Sequence, residues 1–360
     1  MNNLLASKQA SKQASKQRMS LLDSLKGIGI IGIMTIHLGQ WNLNFADGSR
    51  IAVARSAGLL GVEITYLINA FLYSKKYYDS ECFGVKTILK MFLGLIPVYW
   101  LGLLVYGIST YISFGYLKDS IPNILSHFFF VNGIYCPWWQ GFMGGSGYFG
   151  VLAILWCLYP IILKQIINLR ESIVIGCAVI ASSYLISKSL VLANNIILFD
   201  TTGSFGDFMW YIYRGIYCFV LGNILYYLIK EKKLIVINSI ADYVAICIFI
   251  IMILAKMIID GSRFDGLLFT LLIGVTIYLN YQKSTFLIDN PVWSFFGKNI
   301  TELFVAHVVL YYVLVRNHSI FTAGTVTFFI LFCMSIVIAP ILKYCFSDPV
   351  SKFLIKISKC

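Results

Sequence analysis

A lysine and a histidine bracket the first apolar segment of the chain. Lys26 and His37 are eleven positions apart, and in an α-helix this spacing puts both side chains on one face, about 16 Å apart along the axis. A cation near one end and an imidazole deeper in would suit a ligand with an anionic head and a reactive far end. Glycines 27, 29 and 32 leave this helix narrow, which permits a close neighbour or a thin ligand. Alternatively, Lys26 anchors the cytoplasmic end of a membrane span, and His37 is a structural residue that packs in the bundle with its ring hydrogen-bonded.

Two further ionisable residues fall inside apolar segments, where such a side chain is costly unless it faces a cavity or a partner. Glu63 lies in the second segment and could pair with His37 or with Arg55. His307 lies deep in a late segment, and Glu302 precedes it on roughly the opposite face of that helix. We therefore consider His37, Glu63 and His307 to be candidate functional residues.

An irregular region between residues 113 and 147 does not fit the pattern of a membrane span. Its apolar part, residues 121–131, is too short to cross a bilayer and leads into a Pro-Trp-Trp sequence and a glycine-rich stretch. Irregular backbone at membrane depth needs protein or a water-filled cavity beside it, so a re-entrant element and a plain outer loop both stay open. His127, Trp138 and Trp139 are candidate sugar-binding residues here, because rings of this kind can stack on a sugar. An interfacial aromatic belt is the simpler explanation of the tryptophans.

The elements that must position these residues are apolar helices. Apolar residues make up 59% of the chain and charged residues 12%, and the mean hydropathy is +0.81, which excludes a water-soluble fold. Several stretches reach the roughly 20 apolar residues that cross a hydrocarbon core. We predict an all-α, polytopic membrane protein with about ten spans, near residues 27–43, 57–73, 88–112, 147–163, 172–193, 208–229, 234–259, 264–281, 299–315 and 321–345.

The distribution of basic residues predicts the topology and the boundaries of the membrane domain. Lysines and arginines concentrate in alternate connections, which places both termini in the cytoplasm. The net charge of +12 is thereby explained by membrane orientation, and no nucleic-acid partner is expected. Residues 1–20 contain an Ala-Ser-Lys-Gln repeat and are predicted to be a disordered leader. Residues 21–350 form the transmembrane domain, and residues 351–360 form a short basic cytoplasmic tail.

Several kinds of chemistry have no signature in the sequence. The nine cysteines are scattered without a Cys-x-x-Cys spacing, which argues against a disulfide scaffold or a zinc site. There is no phosphate-binding glycine loop and no Gly-x-Ser-x-Gly motif. We therefore expect no metal and no permanently bound cofactor.

Four stretches, in chain order, resemble motifs of the acyltransferase 3 family of membrane-bound O-acyltransferases. The family typically has Asp-x-Leu-Arg-Gly followed by a histidine, and the present chain has Asp23-Ser24-Leu25-Lys26-Gly27 running to His37. The other stretches are Gly61-Val62-Glu63-Ile64 with Phe71-Leu72, Lys86 and Lys90 before Pro97-Val98-Tyr99-Trp100, and Gly297-Lys298-Asn299 through Phe304 to His307. The chain departs from the family pattern at Lys26, Asn69-Ala70, Gly94 and Leu152-Ala153. The resemblance covers most of the chain and includes the family's ten-helix membrane domain.

The resemblance implies a donor, an acceptor and a location. The donor would be acyl-coenzyme A, most often acetyl-coenzyme A, bound from the cytoplasm. Its acyl group would pass to a hydroxyl of a cell-surface glycan, such as lipopolysaccharide or capsule, across a bacterial inner membrane. Lys26, Lys86 and Lys90 would meet the nucleotide and pyrophosphate.

The resemblance also implies catalytic roles for candidate functional residues in the apolar segments. His37 would take the proton of the acceptor hydroxyl, which suits an imidazole because its ordinary pKa lies near neutrality. By analogy with other catalytic histidines, we expect Glu63 to orient that imidazole. His307 would be a second candidate base or an acceptor-binding residue, and His127, Trp138 and Trp139 would be further acceptor-binding residues. Two alternatives stay open: a transporter or flippase of a lipid-linked sugar, and a family member without catalytic activity. The acyl chain length, the sugar and the oligomeric state are not predicted.

Overall fold

The computed structural model describes residues 2–42, 51–80, 83–134, 142–143, 146–197, 204–231, 247, 264–281 and 289–358. All regular secondary structure in these ranges is helical. The α-helices are α1 (Asn2–Asn42), α2 (Ile51–Asp79), α3 (Val85–Phe114), α4 (Ile121–Phe128), α5 (Gly147–Leu163), α6 (Leu169–Ile197), α7 (Ser204–Glu231), α8 (Phe264–Asn280), α9 (Pro291–Lys298), α10 (Ile300–Tyr311), α11 (Thr325–Leu342) and α12 (Asp348–Ile357). Two π-helical turns, Tyr312–Asn317 and Lys343–Ser347, follow α10 and α11.

Six helical segments in the described ranges are long and apolar enough to cross a membrane. They are Ser20–Gly39, Val85–Phe114, Leu169–Val191, Tyr211–Glu231, Ile300–Asn317 and Thr325–Ile357. Shorter apolar helices are Gly147–Leu163 and Gly266–Asn280. The chain is therefore an all-α protein embedded in a membrane by several passes. Helices are expected there because a bilayer leaves backbone groups no partners outside their own segment.

The predicted spans agree in position with observed helices wherever the structure describes them. The predicted span 147–163 has the same bounds as α5, and the others overlap α1, α2, α3, α6, α7, α8, α10 and α11. The predicted span 234–259 lies outside the described residues except for Cys247. The total of ten spans and the cytoplasmic position of the termini stay predictions.

The segments at the two ends of the chain have helical geometry. Helix α1 begins at Asn2 and so includes the repeat leader, whose disorder in solution stays a prediction. The predicted tail, residues 351–360, falls largely within α12, where basic Lys352 and Lys356 alternate with exposed Phe353 and Ile357. A basic amphipathic helix of this kind suits the surface of a bilayer.

Helix α1 packs between α2 and α9, and glycines let both neighbours approach its backbone. Gly29 faces Gly61 of α2, and a Cβ added to Gly29 would lie 3.1 Å from the Gly61 carbonyl oxygen. On another side, a Cβ added to Gly27 would overlap the backbone of α9 at Trp293 and Gly297. The prediction that glycines in this helix permit a close neighbour is thus confirmed at both positions.

Replacing Gly297 with alanine is expected to separate α9 from α1. The added methyl group would overlap the main chain of Asp23, and we expect the free energy of unfolding to fall by about 1–3 kcal/mol. Unfolding in detergent measures this loss. Gly274→Ala in α8 is the matched control, because nothing lies within 4 Å of its added Cβ and alanine favours a helix. Equal losses in the two variants would contradict the importance of the close contact.

Candidate functional site

Two histidines that are far apart in the sequence meet inside the bundle. His37 of α1 and His307 of α10 are 270 positions apart, and Nδ1 of His37 lies 3.0 Å from Nε2 of His307. Their rings are nearly parallel, with centroids 5.3 Å apart. His307 is fully buried, whereas His37 is partly exposed. The sequence identified both residues as candidate bases, but it did not indicate that they form a pair.

The hydrogen bonds of this histidine pair determine which nitrogen carries each proton when both rings are neutral. Nδ1 of His307 lies 2.9 Å from the Leu303 carbonyl oxygen, which can only accept, so this nitrogen carries the hydrogen. Nε2 of His307 is then the acceptor, and Nδ1 of His37 must donate to it. The lone pair of His37 is therefore on its Nε2 atom, which is the nitrogen that can act as a base.

A cavity of about 180 Å³ lies among helices α1, α2, α3, α5 and α10. Lys26, Ile30 and Ile33 line it from α1, and His37 continues the same helical face one turn further. The opposite walls are mostly apolar, with Asn69 and Tyr148 among the polar exceptions. Neither imidazole lines this central cavity, so the histidine pair lies beyond its end.

Three lysines from different elements act electrostatically on one carboxylate near the Lys26 end of the cavity. Nζ of Lys26 lies 3.9 Å from Oδ1 of Asp23, and Asp23 also interacts electrostatically with Lys298 and Lys343. Nζ of Lys343 donates to the Lys298 carbonyl oxygen at the end of α9. Lys298 comes close to α1 because Gly27 and Gly297 allow α9 to approach. Asp23 and Glu302 offset part of the charge of this lysine cluster, and the remaining positive charge marks a place where an anionic group could bind.

The other two lysines that were predicted to bind the donor lie elsewhere. Lys86 and Lys90 are exposed on the first turns of α3, and neither lines the central cavity. The positive charge of Lys90 repels that of Lys76 in α2. The structure therefore brings Lys26 together with Lys298 and Lys343, and not with Lys86 and Lys90. In the sequence, Lys298 could have been singled out because it follows Gly297 in one of the stretches that resemble the family's motifs. Nothing in the sequence singled out Lys343.

The carboxylate of Glu63 pairs with an arginine, and the expected contact with His37 is replaced by this ion pair. The other expected partner, Arg55, is outside the residues whose side chains the structure describes. Nε of Arg214 donates to Oε1 of Glu63 at 2.6 Å, and Nη2 donates to Oε2. The Tyr217 hydroxyl also lies 3.4 Å from Oε1. Arg214 is 1% exposed and Glu63 4%, so the pair joins α2 to α7 in the core. The sequence reasoning missed Arg214, although an arginine inside an apolar segment is itself a signal.

The ring of His127 is enclosed by protein. Nε2 of His127 accepts from the Phe142 N–H at 3.2 Å, and Nδ1 lies 3.0 Å from the Ser146 hydroxyl oxygen. The residue is fully buried, and these bonds tie α4 to the segment before α5. A role for His127 in binding an acceptor stays a prediction, and Trp138 and Trp139 lie outside the described residues.

The fold and the site define an α-helical, multi-pass membrane protein with a histidine pair beyond one end of a central cavity and a lysine cluster at the other. Among the described residues, no group of three or more His, Cys, Asp or Glu side chains could hold a metal ion. No protein-family model matches the chain, and no curated protein or solved structure is significantly similar to it.

Proposed function

We propose that this chain is an O-acyltransferase of a bacterial inner membrane that moves an acyl group, most often acetyl, from acyl-coenzyme A to a hydroxyl of a cell-surface glycan. The observation that carries the proposal is the alignment of lysine cluster, central cavity and histidine pair along one face of α1. The sequence resemblance to acyltransferase 3 agrees with it, since Lys26 and His37 occupy positions of the family's first motif.

The spacing of the site favours a donor with a thin arm between its phosphates and its reactive carbon. Lys26 and His37 are about 16 Å apart along α1, and the pantetheine arm of coenzyme A separates its phosphates from the thioester in this manner. In a lipid-linked sugar, by contrast, the phosphate is bonded directly to the sugar carbon. A coenzyme A thioester therefore fits the two ends of the site better.

The proposed reaction assigns a proton path to the histidine pair. The acceptor oxygen attacks the thioester carbonyl carbon while its proton passes to Nε2 of His37. The carbon–sulfur bond then breaks, and the proton moves from His37 to the departing thiolate, which gives an ester and free coenzyme A. His307 acts as a positioning residue, because its Nε2 accepts from Nδ1 of His37 and stabilises the imidazolium that forms.

Removing one lysine of the cluster is expected to weaken donor binding. In Lys26→Ala and Lys343→Ala, the KM for acyl-coenzyme A should rise about tenfold, because each variant loses a charged contact to phosphate. The kcat should change much less. Lys86→Ala is the matched control, since this exposed lysine does not line the cavity, and its KM should stay within about twofold of wild type. A larger effect in Lys86→Ala than in Lys26→Ala would place the donor elsewhere.

Transfer of a labelled acyl group tests the proposed function. Membranes that contain the full chain are supplied with acetyl-coenzyme A labelled in the acetyl group, and label is then measured in the glycan fraction. We expect labelled glycan, and a deletion strain should lack the corresponding acetyl mass on its surface glycan. Unlabelled glycan in the first experiment, together with an unchanged acetyl mass in the deletion strain, would overturn the proposal.

A flippase for a lipid-linked sugar is the second candidate. The buried Glu63–Arg214 pair favours it, because charged pairs inside a membrane bundle often lie on transport paths. A flippase would alter the exposure of the lipid-linked sugar without incorporating acetyl label. A family member without catalysis would leave the label untransferred and the sugar distribution unchanged.

A further inference from the structure

One phenyl ring stands between the central cavity and the histidine pair. Phe304 of α10 lines the cavity, and its ring packs edge-on against His37 and His307 at centroid distances of 6.2 Å and 5.5 Å. On the cavity side it meets Phe149 at 4.9 Å and Tyr148 at 6.0 Å. Phe304 is only 5% exposed. It therefore forms a partition between the cavity and the histidine pair.

The cavity and the base lie on different sides of this partition. His37 is partly exposed although it does not line the central cavity. The base therefore lies outside the space that begins at Lys26. On the cavity side, Ile30, Ile33 and Leu152 provide apolar walls, whereas Lys26 and Asn69 are polar, so water is disfavoured along the apolar part of the lining. A thioester in the cavity would be separated from the base, and from water beside the base, by the ring of Phe304.

We propose that Phe304 is a specificity-determining residue that directs the acyl group to the acceptor hydroxyl and away from water. The inference rests on the proposed transferase function. While the ring stays in place, the thioester cannot reach Nε2 of His37. When an acceptor binds beside His37, it displaces the ring, and the hydroxyl then meets the thioester in a space from which water is excluded.

The reaction that Phe304 suppresses is hydrolysis of the donor. A water molecule would attack the thioester carbonyl carbon and give one proton to Nε2 of His37. The carbon–sulfur bond would break, and the thiolate would take that proton, which yields a carboxylic acid and free coenzyme A. The base and the leaving group are those of the transfer reaction, so only access distinguishes water from the acceptor.

The first experiment measures acceptor-independent hydrolysis by the purified full chain. Release of labelled acetate from acetyl-coenzyme A is followed without glycan, and transfer is measured in parallel with glycan present. We expect Phe304→Ala to raise hydrolysis about tenfold or more because water gains access to the thioester, while transfer per donor consumed falls. Phe304→Leu, which keeps an apolar side chain in place, should stay close to wild type.

Two further variants make this result specific. Phe219→Ala is the matched control, because Phe219 is a fully buried phenylalanine in the same core that does not line the cavity, and its hydrolysis should not rise. The double variant His37→Ala/Phe304→Ala should lose the added hydrolysis. Hydrolysis in Phe304→Ala that equals wild type, or a rise that survives loss of His37, would overturn the inference.

A labelling experiment tests the partition without any catalysis. Cysteine is placed at position 37, and a membrane-impermeant maleimide is applied to vesicles from the side on which a Lys298→Cys variant reacts. Modification at position 37 is read by peptide mass spectrometry, so the native cysteines do not interfere. We expect labelling to be about tenfold faster when Phe304 is also replaced by alanine, because the barrier to the reagent is gone. Equal labelling rates would refute the partition even if the wild-type chain transfers acyl groups. Faster labelling together with no transfer by the wild-type chain would refute only the transferase proposal.

Discussion

A His37→Ala variant is expected to transfer acyl groups about a thousandfold more slowly than the wild-type chain, because a positioned general base contributes about 10²–10⁴-fold. The KM for the donor should be nearly unchanged, since the lysine cluster is at the other end of the cavity. The assay is transfer of labelled acetyl to glycan, corrected for the amount of folded protein. Transfer at the wild-type rate would show that the base is another residue.

The companion variants at position 307 separate positioning from direct catalysis. His307→Ala removes the acceptor for Nδ1 of His37, and we expect kcat to fall about a hundredfold as the ring loses its tautomer and orientation. His307→Gln keeps an amide oxygen that can accept, so part of the activity should return. The double variant with His37→Ala should be no slower than His37→Ala alone, because residues that act as a unit are not additive. If the loss of kcat in the double variant equals the two single losses combined, the two histidines do not act as a unit.

Separating the buried ion pair is expected to have the largest effect on stability. Glu63→Ala or Arg214→Ala leaves an uncompensated charge in the core, and we expect the free energy of unfolding to fall by about 3–5 kcal/mol. Replacing both residues with leucine should restore most of this loss, because the desolvation cost disappears together with the attraction. Unfolding of the purified chain in detergent provides the measurement.

An exposed ion pair on the same helix is the control for this prediction. Lys75 and Asp79 form a bond of 2.6 Å, and their side chains are 46% and 44% exposed. Lys75→Ala should therefore change stability by no more than about 0.2–1 kcal/mol. A double leucine variant that stays stable but inactive would indicate that the Glu63–Arg214 pair also positions the site. If Glu63→Ala and Arg214→Ala are no less stable than Lys75→Ala, the Glu63–Arg214 pair is not important for stability.

Much of the secondary structure could be predicted from hydropathy alone. A bilayer requires apolar helical segments of roughly 20 residues, and α5 and α11 lie where such segments occur in the sequence. Helical periodicity also placed Lys26 and His37 on one face of α1, and Lys26 does line the cavity below His37. The narrow surface at Gly27 and Gly29 was likewise predictable, since it depends only on side-chain size.

The sequence by itself determined the class of the protein, the course of its helices and the residues able to do chemistry, because these depend on local composition and period. Only the tertiary structure decided which of those residues meet. In the tertiary structure, His37 contacts His307 and Glu63 forms an ion pair with Arg214. Lys26 lies in one cluster with lysines of two later elements. The 3.6-residue repeat of a helix specifies the face on which a side chain lies. The residue that this face meets is set by packing between segments hundreds of residues apart.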